Sequence, residues 1–319
     1  NLEWNLNPYT NILIGRNGSG KSSILKLIDA QFCNKRNILQ KFKNPTIRVT
    51  INKEYENGEN KDIIVEDMAH LQNVDVILID TFDVKPETIS DCKDNCEKEL
   101  SYLEIQVMKR MIDFDKYLVK LNKKFEEKNN LNKIEMSRIL EELAKGNIEE
   151  ASKIQKLKEN EENIKKEIYK PLNNFREIID SMFKDTLKKI NLESIEKSFS
   201  ISTKDKELDI LDLSSGEKQI LIIFLSILLK ENKSYILLMD EPENSLHSEW
   251  QINFISNIRK LNQNVQIIVA THNPLLMLDR ESDEIGRITI SNELVDTTGI
   301  GTKYLDVSAT LLSYLQISS

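Results

Sequence analysis

Apolar and polar positions change their spacing several times along the chain, and each change predicts an element. Asn11 to Ile14 read as a short buried strand, followed by a glycine-rich turn and a helical pattern from Ser22 to about Cys33. Beyond Pro45, Ile47, Val49 and Ile51 alternate with polar residues, and Ile63 and Val65 do so less cleanly. This predicts a small antiparallel layer, a hairpin turning at Asn57-Gly58. Val76 to Ile79 predict another buried strand.

From about Asp91 to Ile190 glycine and proline nearly vanish and Lys and Glu fill the gaps between spaced apolar residues. Leu103, Val107, Met111, Phe114, Leu118, Leu121 and Phe125 recur at steps of four and three, the seam of a helix that packs on another. Ile164, Ile168, Leu172, Phe175, Ile179, Met182 and Ile190 draw a similar stripe on a returning helix, with Pro171 as a kink or restart. Turns are expected at Asn129 to Asn132 and at Lys145-Gly146-Asn147. The pattern fits helical arms that fold back, or a plain helical subdomain.

Period then returns to that of an α/β core. Leu208 to Leu213 lead into Ser214-Ser215-Gly216 and an apolar helix from Glu217 to Lys230. Tyr235 to Met239 and Val265 to Ala270 are strands apolar on both faces, which predicts a parallel sheet covered on both sides.

Composition narrows the class. A chain of 319 residues, 39% hydrophobic and 30% charged, can bury one large core or two smaller ones. The longest apolar run, Ile220 to Leu229, is about half of what crosses a bilayer, and no signal-peptide pattern opens the chain, so no membrane partner and a cytoplasmic location are expected. The first residue, Asn1, is what a processed chain or a segment of a longer one presents. Cys33, Cys92 and Cys96 are too few for a disulfide framework and wrongly spaced for common zinc sites; with only three histidines, a dedicated metal cluster is not expected. A net charge of -8 excludes a surface-wide grip on nucleic acid and leaves a local basic strip open.

The chemistry concentrates in four stretches. Gly15-Arg16-Asn17-Gly18-Ser19-Gly20-Lys21-Ser22, with Ser23 after it, fits the phosphate-binding loop in full, between a strand and a helix. Its glycines let backbone N–H groups turn toward phosphate oxygens, and the helix adds its positive end. Lys21 is expected on the β- and γ-phosphates of ATP and the Ser22 hydroxyl on Mg²⁺. Asp240 and Glu241 end an apolar strand, where a parallel sheet presents ligands. Asp240 is the expected second magnesium residue, and Glu241 the group that orients or deprotonates the attacking water. His272 follows the next strand in the same way and is expected near the γ-phosphate.

Leu213-Ser214-Ser215-Gly216-Glu217-Lys218-Gln219 resembles the signature motif of ABC-type ATPases, with Ser215 in place of a glycine and Glu217 in place of a glutamine. Asp240-Glu241-Pro242, Asn244-Ser245-Leu246-His247 and Thr271-His272 stand in that family's order. The resemblance implies an α/β ABC ATPase head, a P-loop core sheet with an antiparallel β layer, carrying a helical coiled-coil-like insertion. It divides the chain into an N-terminal lobe (1–92), the arm insertion (93–190) and a C-terminal lobe (191–319). It also implies that Ser214, Ser215, Gly216 and Glu217 complete the ATP site of a second copy, so that the protein works as a homodimer or higher homo-oligomer.

The insertion is similar to the SMC, RecF and break-repair branch. The run Asp240 to His247 with Trp250-Gln251, followed by Ala270 to Pro274, looks like the ATPases of the OLD-like class and bacterial antiphage defence. The family's glutamine has no evident counterpart; Asp80-Thr81-Phe82-Asp83 stands near its place. About 45 residues follow Pro274, too few for the Toprim nuclease domain of ordinary OLD proteins. A nuclease, if one takes part, is then a separate protein or a part of the protein outside this sequence, and the resemblance implies an ATP-gated sensor or scaffold acting on a separate effector, a nuclease or toxin. The alternative is a RecF/SMC-type ATPase that clamps duplex DNA through lysines such as Lys120, Lys123, Lys124, Lys165, Lys166, Lys188 and Lys189.

Overall fold

The computed structural model describes residues 3–5, 9–14, 20–33, 35, 37–38, 49–54, 60–65, 75–80, 100–145, 151–191, 199–231, 233–277 and 287–289. The chain forms two compact units: residues 1–83, 232–259 and 263–319 make the first, and residues 84–231 with 260–262 the second.

The first unit is built on a four-stranded sheet. Strands β2 (Thr10–Ile14), β5 (Val76–Ile79), β9 (Tyr235–Asp240) and β10 (Val265–Thr271) lie in the order β2-β10-β9-β5, all parallel. Helix α1 (Lys21–Phe32) packs Leu25, Ile28 and Phe32 on one face, against Ile236, Leu238, Ile268 and Ala270. The alternate residues Leu237, Met239, Ile267 and Val269 are fully buried too, so the sheet is covered on both faces, as the unbroken apolar runs predicted. Strands β3 (Val49–Glu54) and β4 (Asn60–Val65) form the expected antiparallel hairpin, with Glu54 opposite Asn60; its turn lies outside the described residues. Strand β1 (Glu3–Asn5) pairs antiparallel with β11 (Arg287–Thr289), a pairing that the sequence pattern did not suggest.

The second unit is built on two long helices. Helix α2 (Tyr102–Ala144) and helix α3 (Ala151–Met182) pack on one another; of the turn expected at Lys145-Gly146-Asn147, residues 146 and 147 lie outside the described residues. The turn expected at Asn129 to Asn132 is absent: α2 runs straight through. Asn129, fully buried, donates to Glu161 Oε1 at 2.8 Å, Asn132 donates to Asn129 Oδ1 at 2.9 Å, and Asn160 donates to Asn132 Oδ1 at 2.9 Å. A polar ladder between the helices takes up amide groups that would otherwise favour a turn.

Pro171 does not restart the helix either; α3 continues past it and simply lacks one backbone donor. Ile190 leaves the helical stripe for strand β6 (Lys189–Asn191), because α3 ends at Met182 and Leu187 takes a left-handed turn with φ 55°. Strands β6, β7 (Ser200–Ser202) and β8 (Glu207–Leu208) make a small antiparallel sheet, and Phe199 closes edge-on to Phe114 at 5.7 Å, which also meets Phe175 at 6.3 Å. Helix α4 (Ser215–Leu228) is apolar nearly all round and packs against α2 and α3. Among the described residues, no helix is long and apolar enough to cross a membrane.

Candidate functional site

Parallel pairing brings the carboxyl ends of β2, β5, β9 and β10 to one edge, and with them Gly20 to Ser22, Asp80, Asp240-Glu241 and Thr271-His272. Residues Gly15 to Ser19 of the loop lie outside the described residues. Gly20 caps α1 in a left-handed conformation, φ 95°, which only glycine adopts at little cost. The helix has no side-chain cap and no acidic residue in its first turn, so its positive end is left for an anion.

Lys21 is 5% exposed, and its Nζ lies 3.7 Å from Glu241 Oε1. Ser22 donates its hydroxyl to the Asp240 carboxylate. Asp240 is 3% exposed, and its Oδ1 has no hydrogen-bond partner among the described residues. Burial pushes the Asp240 carboxyl above its usual range, opposed by the Ser22 bond and reinforced by the charges of Asp80 and Glu241. An orphaned buried carboxylate oxygen beside a hydroxyl fits a hard cation that takes oxygen ligands and relies on few protein groups. Lys26 on α1 pairs with Asp80 at 3.2 Å, so that carboxylate is engaged within the same edge.

Glu241 turns sharply off β9 with φ 46°, a left-handed conformation uncommon for a side-chain-bearing residue, while its N–H donates to Ala270 O at 2.8 Å. That turn aims its carboxylate at Lys21. Asn244 Nδ2 donates to Glu241 Oε2 at 3.2 Å, and His272 Nδ1 stands 3.4 Å from Oε1. His272 is 45% exposed, with an imidazole able to reach an incoming group.

Two residues beneath this edge, Glu243 and Gln251, were given no role of their own by sequence reasoning. Glu243 is buried and accepts the Thr271 hydroxyl and the His272 backbone N–H. Burial raises its carboxyl above the usual range, and the Thr271 bond opposes the shift. Gln251, on helix α5 (Ser248–Ile252), donates to Leu246 O at 2.9 Å and accepts from Asn273 Nδ2 at 2.8 Å. The available signal was an acid one residue past Pro242, on a turn leaving a buried strand, where burial rather than solvation decides the role.

The signature residues sit in the second unit at the start of α4. Ser214 is the N-cap: its hydroxyl accepts from Glu217 N–H at 3.3 Å and its N–H donates to Glu217 Oε2 at 2.8 Å, a reciprocal capping box. Ser214 and Ser215 are exposed, Gly216 is buried and Glu217 points inward, 1% exposed, bonded to Lys188 Nζ at 2.7 and 2.8 Å. Burial alone would raise the Glu217 carboxyl; Lys188 and the Ser214 bonds outweigh it and hold the group below the usual range. Next to it, Lys218 pairs with Glu104 at 3.0 Å, and the Ser101 N–H and Lys218 together lower Glu104 to about 2.

The chain is 32% identical over 107 residues to a protein named "Retron Ec83 probable ATPase" from Escherichia coli, covering 30% of this chain and 20% of that protein. It is 26% identical over 128 residues to the Septu protein PtuA of Bacillus mycoides (strain KBAB4), covering 38% and 18%. The matched stretch thus spans about a fifth of the length of these curated relatives. Among solved structures, the Pyrococcus furiosus Smc head domain with an extended coiled coil, bound to the C-terminal domain of ScpA, aligns over 97% of this chain and 93% of its own at TM-score 0.38 and 15% identity, a level that carries no weight in the fold assignment. Residues 109–279 match the family described as "AAA domain, putative AbiEii toxin, Type IV TA system", and residues 1–179 the family described as "AAA ATPase domain". Each match takes in more than half of the chain, which therefore belongs to the AAA ATPase domain family.

Proposed function

We propose that this protein binds and hydrolyses ATP with Mg²⁺, and that ATP closes two copies head to head as a sensor or scaffold controlling a separate effector in bacterial antiphage defence. The observation that carries the ATPase reading is the junction of Lys21, Ser22, Asp240, Glu241 and His272 at one sheet edge. Gly15 to Ser23 hold the phosphates, and Lys21 leaves Glu241 for the β- and γ-oxygens. Ser22 and Asp240 would hold a magnesium ion, which would supply positive charge to offset that of the phosphates. Glu241, freed from Lys21, orients the attacking water and takes its proton as the oxygen bonds to the γ-phosphorus and the bond to the ADP oxygen breaks. His272 faces the transferred group from the end of β10.

In the same proposal Ser215 and Gly216 are offered to the ATP of a second copy, with the α4 N-terminus behind them. Ser214 and Glu217 hold that terminus in shape, since their polar atoms already satisfy one another and Lys188. The division into lobes 1–92 and 191–319 around an arm of 93–190 belongs to this proposal as well. The defence role is supported by the retron and Septu relatives and by the OLD-like motif run. Of the lysines named for the DNA-clamp alternative, Lys120 and Lys124 share Glu231, Lys123 faces Glu127, Lys166 faces Glu162 and Lys188 is paired with Glu217.

The decisive experiment is the mass of Glu241→Gln with and without Mg-ATP, purified together with any co-expressed neighbouring protein. ATP-dependent doubling and a co-purifying partner are expected. A mass that stays at one chain with nucleotide bound would refute the head-to-head switch, and doubling without any protein partner would refute the scaffold role.

A further inference from the structure

Glu243 has no part in the proposed chemistry, yet it is buried under it. One of its oxygens accepts the Thr271 hydroxyl, its carboxylate also takes the His272 backbone N–H, and its other oxygen, Oε2, has no partner. The His272 imidazole stands directly above: Nδ1 is 3.8 Å from Glu243 Oε1 and 3.4 Å from Glu241 Oε1. Two carboxylates therefore compete for one ring N–H. A second strut fixes the same two loops, since Gln251 joins the carbonyls of Glu243 and Leu246 to the Asn273 amide.

Glu241 cannot both hold His272 Nδ1–H and receive a proton from water. A ring that passes its N–H from Glu241 to Glu243 solves this, because it frees the catalytic carboxylate; the oxygen it approaches, Oε1, already takes the Thr271 hydroxyl and keeps a lone pair for a second donor. With the proton kept on Nδ1, the opposite nitrogen, Nε2, is left to face the phosphate.

We propose that Glu243 is a positioning residue: anchored by Thr271 and the His272 backbone, it accepts His272 Nδ1–H and so fixes the tautomer and direction of the imidazole while Glu241 works on water. The inference rests on the ATPase reading for its purpose, but its geometry can be tested without nucleotide.

The test uses the full chain at about pH 8, where an ordinary imidazole is neutral, and reads the ring-nitrogen NMR shifts of His272, assigned by their loss in His272→Ala. In Glu241→Ala, where Glu243 is the remaining carboxylate of the pair, His272 is expected to stay protonated on Nδ1. In Glu241→Ala/Glu243→Met, which removes both acceptor oxygens at similar volume, the proton is expected to move to Nε2. In otherwise native protein Glu243→Met should lower kcat for ATP about 10- to 100-fold, the usual size of an orienting partner's effect, with KM within about twofold. In a His272→Ala background the same substitution should change kcat by less than about twofold.

A tautomer unchanged by Glu243→Met in the Glu241→Ala background, or an equal fall in kcat with His272 absent, would overturn the proposal. Should Glu243→Met not fold, Glu243→Leu, which also removes both acceptor oxygens, is scored by the same two readouts. A native chain that hydrolyses no ATP would sink the ATPase reading alone, since the tautomer measurement still decides the role of Glu243.

Discussion

Removing the Glu217 carboxylate should cost the second unit about 3 kcal/mol. The side chain is 1% exposed and serves two structures at once: it closes the capping box with Ser214 and pairs with Lys188 at 2.7 Å. Breaking a buried pair by deleting one partner costs about 3–5 kcal/mol because the other charge is stranded. Lys188 is 17% exposed and recovers some hydration, which places this pair at the lower end. Loss of the reciprocal cap adds about 0.5 kcal/mol, and alanine returns a similar amount through helix propensity.

Glu217→Ala is therefore expected to lower the melting transition by roughly 6–12 °C, at 2–4 °C per kcal/mol for a unit of this size. Helix content followed by circular dichroism through urea and heat at pH 7 is the assay. Because the folded Glu217 carboxyl lies below its usual range, its contribution is complete above the unfolded value, about 4.3, and is lost as pH falls through the folded value. The gap between native protein and Glu217→Gln should accordingly close under acid. A loss smaller than about 1 kcal/mol at pH 7, or strict additivity with Lys188→Met in a double-mutant cycle, would refute the reasoning.

Glu241→Gln should reduce ATP turnover at least about 100-fold while Mg-ATP still binds, measured by phosphate release against nucleotide titration; an undiminished rate would remove Glu241 from catalysis. Gly20→Ala meets no steric neighbour, so its cost comes from φ 95° alone, about 1–2 kcal/mol, seen as a lower melting point together with weaker nucleotide binding. Unchanged stability would mean that the backbone relaxes out of that conformation. Asn129→Leu replaces the buried end of the inter-helix ladder and strands Glu161; a loss of about 1–3 kcal/mol is expected, and a stabilised protein would show that the ladder sets alignment rather than stability.

Much of this protein is written in local pattern. Strands apolar on both faces could only be the inside of a covered parallel sheet, and the phosphate-loop motif needs just one strand, one turn and one helix, all adjacent in the chain. The heptad-like spacing before Phe125 foretold the arms for the same reason, because helical periodicity is a property of neighbours three and four residues apart. Tertiary structure decided whatever depends on distant partners. Asn129 and Asn132 look like a turn until Glu161 and Asn160 supply their hydrogen bonds from the opposite helix. Ile190 has the right spacing for a helix but pairs with Ile201 in a strand. Glu217 reads as a variant signature residue, yet Lys188, 29 positions away, draws it inside. Glu243 differs from the acid two positions before it only in what covers it. Spacing along a chain encodes periodicity and adjacency, whereas burial and charge pairing arise only when strands and helices far apart in sequence come to share one edge.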